Sequence, residues 1–127
     1  MCWLNVASST LFLSNAVVAH ALQQRLYTTL LLALVLTSWG AHGTSNRTVK
    51  LVDKVVVYMV VSYGAYYMLK KGPRKNAFYW TVTLLATSII VFLYFGGACF
   101  DPDYGACYHA YLHAASSISH HAILAMV

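Results

Sequence analysis

Charge is confined almost wholly to short connections between long apolar runs, and that segregation limits what this chain can fold into. Only 9% of its 127 residues are charged and 60% are hydrophobic, whereas a soluble domain usually carries roughly a quarter charged residues. The acids are Asp53, Asp101 and Asp103, and there is no glutamate. Helix surfaces this poor in ion pairs are solvated by lipid rather than water, so an ordinary soluble domain is excluded and an integral membrane protein is expected. A bilayer span needs about 20 residues, which leaves room for about four or five spans. The expected fold is therefore all-α, a polytopic transmembrane helical bundle of about five spans forming one domain over 1–127.

The first span is expected at about Trp3 to Leu22, where Asn5, Ser8, Ser9, Ser14, Asn15 and His20 mark a polar face turned into the bundle. A signal peptide competes for this run, but no basic residue precedes it. The second span runs from about Leu26 to His42 around LLLALVL, and a polar loop is expected over Gly43 to Lys50. The third covers about Leu51 to Leu69, with Tyr58, Tyr63, Tyr66 and Tyr67 as bundle and interface packing. It is ended by Lys70-Lys71-Gly72-Pro73-Arg74-Lys75, because Gly-Pro breaks a helix and charge cannot enter hydrocarbon. A fourth span follows from Ala77 to about Phe95, then a turn over Gly96 to Gly105, then a last helix from about Ala106 to Val127.

The formal net charge is +5. Its basic residues fall in connections rather than along one face, which fits membrane loops and not a nucleic-acid surface. Arg25 and the bases of Lys70 to Lys75 share one side, against Arg47, Lys50 and Lys54 on the other. The positive-inside rule then puts the N-terminus, the 43–50 loop and the Cys99/Cys107 segment on the lumenal or extracellular side, with the C-terminus in the cytosol. The sequon Asn46-Arg47-Thr48 lies on that same outer side, although so short a pattern also arises by chance. Cys99 and Cys107 are spaced for a local disulfide in an oxidising compartment, and no zinc-binding cysteine cluster is present.

This topology brings the end of the second helix and the starts of the third and last to one membrane face. Ser38 and His42 are four apart, as are His109 and His113, so each pair shares a helix face. Asp53 is the only acid expected within a span. Imidazoles from two helices at this spacing can hold a metal and leave a position open for water, which favours zinc over magnesium or calcium. Histidine pairs also recur without a metal in a chain with six histidines, bonded to a carbonyl or a tyrosine, so spacing leaves both open. For His20, His120 and His121 a packing or interfacial role is the simpler one.

The stretch Ser38 to Asp53, SWGAHGTSNRTVKLVD, together with HAYLH at His109 to His113 and WLNVASS at Trp3 to Ser9, resembles the alkaline ceramidases. These belong to a wider superfamily of membrane hydrolases that includes the adiponectin receptors and haemolysin III-like proteins. The resemblance covers about 3–70 and 107–125. It implies that His42, His109 and His113 bind Zn2+, that Asp53 contacts the water at the metal, and that Ser38 faces the substrate carbonyl. It also implies hydrolysis of a lipid amide such as ceramide to fatty acid and a long-chain base, inside a bilayer. Family members have seven helices, so this chain would be a reduced version lacking a pair between the aspartate helix and the last. Asp53-Lys54 stands where ceramidases have Asp-Glu, and without glutamate their acidic calcium site is not carried over. Two other classes compete: a non-catalytic membrane subunit or receptor-like module keeping the family core, and a helical subunit of a larger complex with no metal. Zinc content separates the last from the others, and lipid-amide turnover separates the first two.

Overall fold

In the computed structural model the described residues are 3–100 and 108–127, the side chains of 97–100 excepted. They form helices and no strand. The elements are α1 (Trp3–Ser9), α2 (Leu11–Ala21), α3 (Arg25–Gly43), α4 (Arg47–Lys71), α5 (Ala77–Phe100) and α6 (His109–Leu124). Helices α1 and α2 are one rod with a tightened joint. The Ser8 and Ser9 hydroxyls both donate back to the Asn5 carbonyl, and Thr10 keeps helical dihedrals while its N–H bonds the carbonyl three residues back. Hydroxyls that capture a helix carbonyl in this way bend the helix.

Two boundaries differ from the sequence expectation. The loop over Gly43 to Lys50 contracts to 44–46, because Asn46 caps α4 by accepting from the N–H groups of Thr48 at 2.9 Å and Val49 at 3.3 Å. The turn expected from Gly96 is helical as far as Phe100, since nothing in the apolar run of α5 breaks it earlier. The rest of that connection lies outside the described residues, as do Cys107 and the Cys99 side chain, and with them the disulfide. At Gly72, by contrast, the expected break holds, with φ at 70° ending α4 in a conformation that suits glycine.

By length and composition one helix among the described residues, Ala77–Gly96, is apolar enough to cross a membrane. Five such helices were expected. The first rod is broken at Thr10, α6 has 16 residues, and α4 carries charge at both ends, so each falls short of a continuous apolar span of about 20 residues.

Helix α6 is the axis of the bundle. It packs against α5, α1, α2 and α4, while α3 packs against α1, α2 and α4. The polar face of the first rod turns inward only in part: Asn5, Ser9 and Asn15 are buried, and Asn15 donates to the Ser117 carbonyl and accepts from the Ser117 hydroxyl, whereas His20 and Ser14, which bonds His121, are exposed. Asn76 fixes the far end of α6 by exchanging hydrogen bonds with the Val127 backbone. Helices α4 and α5 are joined through 72–76 yet do not pack along their length.

Below the centre of the bundle, Tyr27 meets Tyr63 and Tyr67 and bonds His120 Nδ1 at 2.5 Å. Gly64 makes this approach possible, because a Cβ there would lie 3.1 Å from the Tyr27 hydroxyl and 3.3 Å from the His120 ring. Gly64→Ala is expected to destabilise the fold by about 1–2 kcal/mol, the overpacking cost outweighing the gain in helix propensity. Thermal unfolding in detergent checks this, and a raised midpoint would contradict it.

Candidate metal centre

The polar end of α3 and the charged start of α4 come together through a close contact. A Cβ on Gly40 would lie 3.0 Å from Val49 Cγ1, so the small residue lets the two backbones approach. Asp53, two turns into α4 from its Asn46 cap, then faces α3. Its Oδ1 accepts from Thr37 at 2.8 Å and from Ser38 at 2.8 Å. Oδ2 carries no hydrogen bond among the described residues. Ser38, 2% exposed, directs its proton to Asp53.

His42, on the same face of α3 as Ser38, meets the two histidines of α6. Ring centroids are 4.9 Å apart for His42 and His109, 5.0 Å for His42 and His113, and 4.6 Å for His109 and His113. One nitrogen from each ring lies within 4.8 Å of the other two. Points so placed share a centre within about 2.8 Å of each, from which each ring would close in by up to about 0.7 Å to reach the 2.0–2.1 Å of a zinc–imidazole bond. The fit is supported by His42 Nε2, which is buried with no hydrogen-bond partner among the described residues; an orphaned buried acceptor is costly unless something binds it. His113 Nδ1 is held by the Ser8 hydroxyl at 2.6 Å, which leaves Nε2 for a metal. An outer hydrogen bond of this kind fixes the tautomer and aims the ring.

Three of the six histidines meet, and the others do not join them. His120 is buried against Tyr27 and Phe12, His121 bonds Ser14, and His20 is exposed on α2. Sequence reasoning assigned no role to Ser8 or Thr37. Ser8 sits in the quoted WLNVASS segment, but its partner is 105 residues away.

The three imidazoles, Ser38 and Asp53 line a cavity of about 1210 Å³ to which all six helices contribute, α4 and α5 among them. Val57, Val60 and Val61 wall it on α4, Ile90 and Val91 on α5, and Leu112 on α6. The arrangement offers three imidazoles, an oriented carboxylate and an apolar chamber.

No family model matches the chain, no curated protein matches it, and no solved structure matches it.

Proposed function

We propose that the protein is a zinc-dependent hydrolase of lipid amides, embedded in a bilayer as a multi-pass helical bundle with its metal site toward the lumenal or exterior face. One observation carries the reading: three imidazoles from two helices converge beside a carboxylate held at one oxygen, on the wall of a largely apolar cavity. Exposed apolar side chains on every long helix, among them Leu36, Leu69, Phe78, Phe92 and Ile118, favour a lipid surround. The donor set of three imidazoles with room for a further ligand favours zinc, with His42, His109 and His113 holding it.

Zinc bound there supplies a Lewis acid for the amide carbonyl and a water acidified toward a pKa of about 7. Asp53 receives a proton at Oδ2 and delivers it to the departing nitrogen, a general base and then a general acid. Thr37 and Ser38 hold Oδ1 throughout, so the carboxylate does not have to be oriented at the moment of reaction. The valine-rich walls bind the hydrocarbon and exclude bulk water. The products are a fatty acid and an amine, which from ceramide is the long-chain base.

The test is elemental analysis of the purified protein together with fatty-acid release from a lipid amide in reconstituted vesicles. One zinc per chain and steady release are expected. Zinc without release from any lipid amide would leave a receptor-like module, and a metal-free, inactive protein would end the metal reading. Within the active protein, Ser38→Ala is expected to lower kcat about tenfold and the Thr37→Val/Ser38→Ala pair about a hundredfold, from lost hydrogen bonds to a charged group. KM should hold in both variants. A rise in KM with kcat unchanged would mean that Ser38 contacts substrate.

A further inference from the structure

The cavity is not uniform along its length. On α4 the residues that line it include Lys50 and Lys54 at one end, then Val57 and Val61, which share one face of the helix at three- and four-residue spacing. The lysines stand about one to three turns from the valines, beside Asp53, and Lys50 to Val61 spans about 16 Å of helix. Both lysines are exposed. The only side-chain carboxylate among the described residues is Asp53, and its Oδ1 is held by Thr37 and Ser38. Among the described residues, the end of the cavity that carries Lys50 and Lys54 therefore has a positive excess beside Asp53, while the walls further along are mostly apolar, with Ser116 and His120 of α6 also lining them.

From this placement, and resting on the hydrolase reading above, we infer that the preferred substrate is a lipid amide whose amine portion bears an anion, a carboxylate or a phosphate. The hydrocarbon lies along the valine stripe, the amide sits at the imidazoles, and the anion meets Lys50 and Lys54 at the charged end. A neutral headgroup uses neither lysine. Electrostatic attraction at a low-dielectric rim raises both encounter rate and affinity for the opposite charge. The reaction consumes one water: its oxygen bonds the acyl carbon, the C–N bond breaks, and a proton goes to the nitrogen. N-dodecanoylglycine would give dodecanoate and glycine.

The experiment compares N-dodecanoylglycine with uncharged N-dodecanoylethanolamine and with N-dodecanoylaminoethyl phosphate, in non-ionic detergent, by kcat/KM on the zinc-loaded protein and by binding to the metal-free protein. In wild type, at least one anionic amide is expected to exceed the ethanolamide tenfold or more in kcat/KM and in affinity, and the preference should shrink as salt is added. Which anion leads separates a carboxylate from a phosphate site. Lys50→Ala/Lys54→Ala should bring the ratio near one and Lys54→Glu should invert it, whereas Lys70→Ala/Lys71→Ala, outside the cavity, should leave it as in wild type. Equal ratios in wild type, or a preference that survives Lys54→Glu, would overturn the inference while leaving hydrolysis intact. A lysine-dependent binding preference with no turnover of any amide would uphold the anion site and remove the hydrolase.

Discussion

On the hydrolase reading proposed above, Asp53→Asn is expected to keep one zinc per chain and to lower kcat for a lipid amide by about 10² to 10⁴-fold, the usual worth of a positioned general base. The substitution preserves size and retains an oxygen that Thr37 and Ser38 can still donate to, both of which reach Oδ1 at 2.8 Å. What it removes is the capacity to accept and return a proton at the other oxygen. Because the three imidazoles are untouched, metal content by elemental analysis should match wild type, and so should binding of a non-hydrolysed amphiphile. Loss of the metal in this variant would make Asp53 a ligand and reassign its role.

The second large effect is on the metal itself. His113→Ala takes away one of three nitrogens that lie within 4.8 Å of one another, and on the proposed reading the remaining pair is expected to lose zinc on dialysis against a chelator. Ser8→Ala leaves all three nitrogens but frees the His113 ring from its 2.6 Å hydrogen bond. Affinity should then fall about 10 to 100-fold, as for other outer partners of metal-binding histidines. A competitive zinc titration orders the three proteins: wild type, then Ser8→Ala, then His113→Ala. If Ser8→Ala bound zinc as tightly as wild type, the hydroxyl would be a packing contact only.

The helices themselves were legible where one physical signal dominates. The apolar run of α3 and the Gly-Pro break after α4 fall within a residue or two of expectation, because burial and backbone sterics act locally. The start of α4 comes earlier than the loop expected over Gly43 to Lys50 allows, because the Asn46 side chain caps the helix and moves its start to Arg47. The histidine triad could be anticipated because four-residue spacing places each pair on one face and alternating helices bring the pairs to one end. Partner choice could not. Whether Ser38 points to a substrate or to Asp53, 15 residues on, and whether Ser8 meets His113, 105 residues on, depends on how the helices rotate against one another, and no periodicity encodes that. Tyr27 with His120 belongs to the same class, a pair fixed by the missing Cβ of Gly64.

The separation of α4 from α5 has a consequence for kinetics. Where two helices interlock, admission of a ligand must wait for the protein to open. Here α5 is carried on α6, and among the described residues its face toward α4 meets no helix packed along its length, so none of the described helix interfaces has to be broken to reach the cavity from that side. In a bilayer, that side of the chamber is closed by acyl chains. On the proposed reading, their order and thickness would then set how fast a substrate slides in, and the host membrane would be a rate-determining component of the reaction.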